Sequence, residues 1–255
     1  MCGRYELHAH PAAIALAFGL EHPPQLRARY NIAPTQDVPV VRLSPAGARE
    51  IVQVRWGLVP RWAKDPSIGQ RMINARGETV AEKPAFRNAF RRHRCLVPAN
   101  GFYEWTAGSD GRKQPLWIGM RDGGLFGFAG LLERWLDPDG HPLDSCTILT
   151  TQANALIARL HDRMPVIVAP DDYARWLDPD DPAPSELVKP YDPARMRFHP
   201  VSTRVNSVRH DDASCIEPLP DADGFLPLQG ADEASPPDDE GAAQAPEAPG
   251  QARLF

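Results

Sequence analysis

Between residues 1 and 220 this chain offers only short apolar runs, each closed off by Gly, Pro or Asp. Runs of this kind, bounded by turn-forming residues, are typical of short strands, and no βαβ rhythm is present. Strands are predicted at 38–43, 50–54, 94–97, 116–119, 125–130 and 146–150. The pattern therefore predicts an α+β fold, a single β-rich domain with short helices.

Three short helices complete the prediction for this domain. The first spans 11–20 and starts on Pro11, where a proline suits the first helical turn. The second spans 151–160 with Thr151 as its cap, and the third spans 171–177. The chain contains neither GxGxxG nor GxxxxGK[ST], so we do not expect a nucleotide-binding fold. Its 255 residues suit one buried core with an appendage.

The appendage is an acidic C-terminal segment, 221–255. It holds eight acidic residues and one basic residue, a charge of −7 within a whole-chain charge of −5, which leaves +2 on residues 1–220. From about 229 to 250 it is rich in Ala, Pro, Asp and Glu and has no aromatic residue. Such a segment cannot bury enough apolar surface to offset its ordering entropy, so we predict a disordered tail.

Cysteine spacing and hydropathy indicate the compartment. The four cysteines, Cys2, Cys95, Cys146 and Cys215, form no CxxC pair, which argues against a zinc site and a disulfide framework. Cys95 and Cys146 lie in predicted strands, where we expect buried thiols. No apolar run approaches the ~18–20 residues of a membrane span, and we recognise no signal peptide. We expect a monomeric protein of the cytoplasm that uses no metal and no cofactor.

Cys2 has the most unusual chemistry of these residues. A small second residue allows Met1 to be cleaved, and Cys2 would then carry a free α-amine beside its thiol. The pKa of an α-amine is about 7.7–8, so part of it is neutral and nucleophilic at physiological pH. An amine and a thiol on adjacent carbons trap an aldehyde, because a Schiff base forms and sulfur then closes a thiazolidine ring. The alternative is that Cys2 is an accident of the chain start.

Other candidate residues also have ordinary structural readings. Glu104 lies between two aromatic residues, so its carboxylate either faces water or sits in a pocket suited to acid/base chemistry. His161 follows the predicted helix at 151–160, and it either caps that helix or transfers protons. Asn74 and Arg76 alternate on one face of a short strand, as a phosphate clamp or as an ordinary surface pair. Trp56 is more often a core residue than a contact surface, by its size.

Read in order, the motifs of residues 1–220 resemble those of one family. They are MCGRY at 1–5, RYNIAPTQ at 29–36, WGLVPRWAKD at 56–65, INARGETVAEKPAFRNAF at 73–90, RCLVPANGFYEW at 94–105, GFAGLLERW at 127–135, LHDRMPVIV at 160–168 and HPVSTRVNSV at 199–208. Together they resemble the SRAP (SOS-response-associated peptidase) domain, whose members process abasic sites and crosslink to single-stranded DNA.

The resemblance implies four catalytic residues. Cys2, freed of Met1, would condense through its amine with the ring-opened aldehyde at C1′ of an abasic deoxyribose. Its thiol would then close the thiazolidine. Asn74 would orient the amine and the sugar, and Glu104 would act as acid and base. His161 would protonate the ring oxygen of the sugar and assist reversal. Autocatalytic release of Met1 by Cys2, Asn74 and Glu104 is implied as well.

The resemblance also implies how single-stranded DNA that contains an abasic site is held. The implied DNA contacts are Arg4, Pro34, Trp56, Trp62, Arg76, Thr150 and Arg163. The arginines would hold flanking phosphates by charge-assisted hydrogen bonds. The tryptophans and the proline would wedge or stack against bases beside the lesion, which suits a protein that accepts any sequence. Residues 66–71 exceed the family pattern, so the DNA contacts of that loop stay open.

Other function classes remain open at this point. A Met-Cys-Gly start also opens the N-terminal-nucleophile glutamine amidotransferases, although those continue with apolar residues rather than Arg4-Tyr5. They also feed ammonia to a synthase domain, for which the sequence shows no candidate. A peptidase that acts on other proteins is another alternative. A non-enzymatic single-strand-binding module is the last, and a complex that survives a denaturing gel would exclude it.

The last five residues of the chain, QARLF, resemble the short peptide with which bacterial DNA polymerases and repair proteins dock on the sliding clamp. Leu254 and Phe255 would fill an apolar pocket, and Gln251 would form hydrogen bonds at its rim. The alternative is a frayed tail that happens to end in two apolar residues.

Overall fold

A computed structural model describes residues 2–107 and 113–220. The predicted tail at 221–255 and the clamp-binding peptide within it lie outside these residues. The described α-helices are α1 (Pro11–Phe18), α2 (Arg87–Arg92) and α3 (Tyr173–Leu177). The strands, in chain order, are β1 (Tyr5–Leu7), β2 (Arg29–Ile32), β3 (Asp37–Leu43), β4 (Arg49–Trp56), β5 (Asn74–Arg76), β6 (Arg94–Ala99), β7 (Gly101–Ala107), β8 (Lys113–Met120), β9 (Phe126–Leu136), β10 (Pro142–Gln152), β11 (Arg163–Pro165), β12 (Ile167–Val168) and β13 (Met196–Pro200). Among the residues described, no helix is long and apolar enough to cross a membrane.

The strands form two sheets. One has the order β13-β8-β7-β1-β2, and all of its pairings are antiparallel. In the other, β10, β4, β3, β6 and β9 pair in sequence, and β9 pairs again with β10, so these five strands close into a ring. Strand β5 adds to β10 in parallel. This arrangement confirms the predicted β-rich α+β fold.

Strand β7 is buried on both faces, and this places the candidate site between two apolar clusters. Phe102 packs against Phe128 of β9 with ring centroids 5.9 Å apart, on the side of the larger core. Tyr103 points to the opposite face, where it packs in a smaller cluster with Trp117 and Val205. Alternate residues of β7 thus pack into different apolar clusters, because successive side chains of a strand point to opposite faces.

The predicted helix at 151–160 is wrong. Residues 151 and 152 continue β10, and Thr151 pairs there with Met164 of β11. Only a 3₁₀ helix, Ile157–Arg159, follows, and it is preceded by Asn154, whose Oδ1 accepts a hydrogen bond from the Ile157 amide at 2.9 Å. A β-branched pair at 150–151 favours strand pairing over helix initiation, so the sheet extends and the turn starts later.

Most other predicted elements are confirmed with shifted ends. The first helix ends at Phe18 because Gly19 adopts the left-handed conformation, with φ of 64°, and terminates it. The helix predicted at 171–177 is a 3₁₀ turn, Pro170–Asp172, followed by α3. The expectation of buried thiols at 95 and 146 is confirmed as well, since both cysteines are fully buried.

Candidate active site

Strand β1 fixes the start of the chain against β7. The amide of Tyr103 donates a hydrogen bond to the carbonyl of Arg4 at 3.0 Å. Cys2 is fully buried, and its Sγ lies 3.9 Å from the same carbonyl oxygen. Burial raises the pKa of the Cys2 thiol well above its usual value, and the negative charge of Glu104 raises that pKa further. The thiol is therefore protonated at neutral pH, and it lies within the electrostatic reach of Glu104.

Strand β5 brings Asn74 to Cys2. Its pairing with β10 sets Asn74 opposite Ile148, and the Asn74 Nδ2 donates to the Cys2 carbonyl oxygen at 2.8 Å. The Oδ1 of Asn74 is buried and accepts no hydrogen bond from any described residue. An amide fixed through its nitrogen in this way keeps an oxygen ready to accept from an amine or a hydroxyl beside Cys2.

Glu104 and His161, far apart in sequence, line one open cleft of about 500 Å³ together with Trp105, Lys113 and Asn206. Glu104 is 5% exposed, so its side chain is buried at the cleft and does not face open water. His161 is about one-third exposed. The cleft thus sets a buried carboxylate and an accessible imidazole against the same space.

The imidazole of His161 has two competing contacts at Nδ1. The Arg163 amide lies 2.9 Å away as a donor, and the Asp162 carboxylate lies 2.7 Å away as an acceptor. A neutral ring nitrogen either accepts or donates, so these contacts belong to different tautomers. We favour the bond from the fixed backbone amide, because the Asp162 side chain is 84% exposed. In that tautomer Nε2 carries the proton. The predicted cap of an α-helix does not apply, since the element that ends just before His161 is the 3₁₀ helix Ile157–Arg159.

The three predicted phosphate-binding arginines differ in their surroundings. Arg76 is exposed on β5. Arg4 Nη1 donates to the Asn31 Oδ1 at 2.6 Å. Arg163 forms a bidentate ion pair with Glu78, with Nη1–Oε1 and Nη2–Oε2 distances of 2.7 and 2.9 Å. Arg4 and Arg163 therefore have partners within the protein that a phosphate would have to join or replace.

Two of the predicted DNA contacts are corrected by their burial. Trp56 is fully buried and donates from Nε1 to the Ile73 carbonyl at 2.9 Å, so it offers no face for base stacking. Thr150 is also fully buried, and it contacts Arg163 rather than the surface. Trp62, by contrast, is 59% exposed, and Pro34 is half-buried. Of the three residues expected to wedge or stack, the structure leaves Trp62 and Pro34 accessible.

The loop that exceeds the family pattern is anchored to the end of β4. It forms a 3₁₀ helix, Pro66–Arg71, in which Gly69 packs directly on Gly57. A Cβ at Gly69 would lie 2.5 Å from the Gly57 carbonyl oxygen, so no larger residue fits there without displacement. The loop and Trp62 line a groove of about 420 Å³ that also includes Lys64.

Sequence reasoning missed the contribution of residues 203–211 to the cleft. Asn206 lines it, and its Oδ1 accepts from the Trp105 Nε1 at 2.7 Å. The segment is held by the fully buried Asn31, whose Nδ2 lies 2.6–3.1 Å from three backbone carbonyls. They belong to Val205, Ser207 and His210. The motif HPVSTRVNSV was the available signal, but nothing in it singled out Asn206.

Asn31→Ala is expected to lower the free energy of unfolding by about 3 kcal/mol. Three carbonyls and Arg4 would lose a buried partner, and each unsatisfied buried group costs roughly 1–3 kcal/mol before water compensates. Urea unfolding followed by tryptophan fluorescence measures the change. Asn88→Ala on the exposed face of α2 is the control. Equal effects of the two substitutions would show that Asn31 does not hold the segment.

One group of described residues has metal-ligating side chains close together, namely Asp137, Asp139 and His141 in the turn between β9 and β10. The Oδ1 of Asp137 accepts from the amides of Asp139 and His141 at 2.9 and 2.8 Å. Turn formation accounts for this cluster, and it lies on a different segment from the residues around Cys2.

Comparison with known proteins shows similarity over most of this chain. The family model "SOS response associated peptidase (SRAP)" matches residues 1–208. The abasic site processing protein YoqW of Bacillus subtilis is 40% identical over 223 residues, which cover 85% of this chain and 99% of YoqW. The abasic site processing protein HMCES of Gallus gallus is 34% identical, over 76% of this chain and 67% of that protein. A crystal structure of a protein from Bacteroides thetaiotaomicron superposes with a TM-score of 0.77 at 26% identity, over 86% of this chain and all of that one.

Proposed function

Because the chain belongs to the SOS response associated peptidase (SRAP) family, we propose that it recognises abasic sites in single-stranded DNA and crosslinks to them through Cys2. The crosslink would shield the lesion during replication. Relatives from Bacillus subtilis and Gallus gallus are named abasic site processing proteins. The observation that carries the proposal is the 2.8 Å hydrogen bond from Asn74 to the Cys2 carbonyl. It fixes the residue that, after loss of Met1, presents an amine and a thiol on adjacent carbons.

The reaction requires no external oxidant or reductant. Hydrolysis of the Met1–Cys2 peptide bond frees the α-amine, and we propose that Cys2, Asn74 and Glu104 carry out this step. The amine then adds to the C1′ aldehyde of the opened deoxyribose, and water leaves as the Schiff base forms. The Cys2 sulfur adds to the imine carbon, and its proton moves to the nitrogen. The thiazolidine therefore contains the protein and the DNA less one water.

Glu104 is the proposed base for ring closure. The Cys2 thiol has a raised pKa, so little thiolate is present at neutral pH and sulfur needs a proton acceptor as it attacks. Glu104 is buried, and its charge acts directly on that thiol. The same carboxyl group can return the proton to the imine nitrogen, so one residue serves as base and then as acid.

Asn74 and His161 have complementary proposed roles. The buried Oδ1 of Asn74 would accept from the Cys2 amine or from a sugar hydroxyl, since no described residue occupies it. His161 with its proton on Nε2 would donate to the ring oxygen of the sugar and favour the open aldehyde. The reverse transfer would assist release of the DNA. In each role the side chain forms a hydrogen bond to a reacting atom, the amine or hydroxyl for Asn74 and the ring oxygen for His161, whose charge changes during the reaction.

Binding of the single strand is proposed to rest on charge and stacking without reading of base edges. Arg76 is exposed, and Arg4 and Arg163 would reach phosphates by exchanging or extending their present contacts. Trp62 would stack beside the lesion, and Pro34 would support the neighbouring base. Such contacts are independent of sequence, as a lesion-processing protein requires.

Intact mass spectrometry of the purified protein, alone and after mixing with an abasic oligonucleotide, tests the proposal. We expect a free protein that lacks Met1 and an adduct equal to protein plus DNA minus one water. An oligonucleotide with a tetrahydrofuran in place of the abasic sugar has no aldehyde and is the control. Absence of a covalent species would favour the non-enzymatic binding module. Release of ammonia from glutamine would favour the amidotransferase.

Docking on the sliding clamp through Gln251, Leu254 and Phe255 is a separate proposal from the sequence. It would deliver the domain to replication forks, where abasic sites lie in single strands. Fluorescence polarisation of a peptide of residues 246–255 with purified clamp is expected to show micromolar binding. A peptide with Leu254→Ala and Phe255→Ala is the control, and equal binding of both peptides would contradict the proposal.

A further inference from the structure

The ion pair between Arg163 and Glu78 has the geometry of a guanidinium holding an oxyanion. Two parallel bonds of 2.7 and 2.9 Å join the Nη atoms to the two carboxylate oxygens. A phosphate offers two oxygens at similar spacing, so arginine binds both groups in the same bidentate way. The place that Glu78 occupies on Arg163 is therefore one that a DNA phosphate fits.

Arg163 does not depend on Glu78 alone for its position. Its Nη2 also donates to the Thr150 carbonyl oxygen at 2.8 Å and lies 3.2 Å from the Thr150 Oγ1. Thr150 is fully buried in β10, which makes it a rigid support. The Arg163 side chain is 14% exposed, and its buried Nε donates to no acceptor among the described residues. The guanidinium would thus stay in place, with a donor in reserve, if the carboxylate left.

Glu78 is the more exposed member of the pair. Its side chain is 43% exposed and lies on the 3₁₀ turn Gly77–Thr79, directly after Arg76. Hydrogen bonding from Arg163 holds the pKa of Glu78 below its usual range, so the carboxylate is charged at physiological pH. Arg76 pairs with Thr150 across β5 and β10, so both arginines lie beside the same residue. An incoming phosphate would therefore find Arg163 held in place, while the Glu78 side chain can move into solvent.

We propose that Glu78 occupies the place of a DNA phosphate on Arg163 in the free protein and is displaced when a single strand binds. The inference rests on the proposed function, in which Arg163 holds a flanking phosphate. Glu78 then weakens binding to any polyanion that cannot also engage Arg76 and the other contacts. Glu78 competes with phosphate for Arg163, so a higher DNA concentration is needed for binding. Thr150 holds Arg163 in position while phosphate replaces Glu78.

The test is the affinity of Glu78→Gln for undamaged single-stranded DNA, measured by fluorescence anisotropy at several salt concentrations. We expect binding about two- to fivefold tighter, the range that a partly exposed ion pair contributes. The dependence of log affinity on log salt should also steepen, by less than the roughly 0.7 of one phosphate contact on a single strand, since the variant has no carboxylate to take up a cation when phosphate binds. Glu82→Gln, an exposed glutamate four residues further on, removes the same charge without touching Arg163 and controls for net charge.

Two measurements separate displacement from other roles. In an Arg163→Ala background, Glu78→Gln should lose its specific effect and match Glu82→Gln. With abasic DNA, Glu78→Gln should lower the concentration for half-maximal crosslinking and leave the maximal rate unchanged. Weaker binding by Glu78→Gln, or an effect equal to that of Glu82→Gln, would overturn the inference. Failure of the wild-type protein to crosslink would instead overturn the proposed function, and the experiments with undamaged DNA would still decide the role of Glu78.

Discussion

Cys2→Ala is expected to abolish the denaturation-resistant adduct with abasic DNA. The variant lacks the Cys2 proposed to release Met1, so Met1 is removed with an aminopeptidase before the assay. Alanine then has the free α-amine but no sulfur, so the reaction stops at a Schiff base that water hydrolyses. Non-covalent binding to undamaged single strands should change little, because the arginines are the proposed source of that affinity. Denaturing gels of protein mixed with an abasic oligonucleotide measure the loss. Anisotropy with an undamaged oligonucleotide confirms that the variant still folds and binds.

Two further variants make the interpretation specific. Cys2→Ser should also lose the unreduced adduct, while borohydride should trap a Schiff base in both Cys2 variants. Cys95→Ala removes another fully buried thiol in β6 and should crosslink as the wild type does. A stable, unreduced adduct from Cys2→Ala would exclude thiazolidine chemistry. Loss of the borohydride-trapped species from variants that lack Met1 by intact mass would show that the amine does not react.

The fold was predictable from sequence where local signals and tertiary pairing agree. The strands around 38–43 and 50–54 form the β3–β4 hairpin, because their apolar residues and the turn between them point to the same pairing. The helix predicted at 151–160 failed because its signal, a threonine before an apolar stretch, is also compatible with an extended β10. The partner that decided the outcome, β11, is three residues long and carries little signal of its own.

The grouping of the candidate residues was predictable from sequence, and their surroundings were less so. Residue type and family motif identified Cys2, Asn74 and Glu104, and the Asn74–Cys2 contact agrees with that grouping. Burial is a property of the packed chain, so sequence could not decide that Trp56 lies inside the core. Nor could it pair Arg163 with Glu78, because that contact joins β11 to a turn 85 residues earlier.

Glu104→Gln is expected to slow crosslink formation by roughly 10²–10⁴-fold, the range of a lost general acid/base. The substitution has two opposing effects on the rate of ring closure, so whether that rate rises or falls shows which role Glu104 has. Removing the negative charge should lower the pKa of the Cys2 thiol, because that charge raises it in the wild type. A purely electrostatic role for Glu104 would therefore predict a more easily ionised thiol and faster ring closure. A role in proton transfer predicts slower closure, because glutamine has the same shape but cannot accept a proton.

The rate of ring closure is measured by quenching the reaction over time and separating two species. Schiff base is scored as the adduct that needs borohydride to survive denaturation, and thiazolidine as the adduct that survives without it. Glu6→Gln is the matched control, since Glu6 is a fully buried carboxylate on β1 that bonds His8 at 2.6 Å on the other face of the sheet. Once an aminopeptidase has removed Met1, a step in which Glu104 is also proposed to act, we expect the Glu104 variant to accumulate Schiff base, because amine addition precedes the step that needs the base. An unchanged or faster appearance of thiazolidine would remove Glu104 from the chemistry and leave it as a residue that tunes the Cys2 thiol.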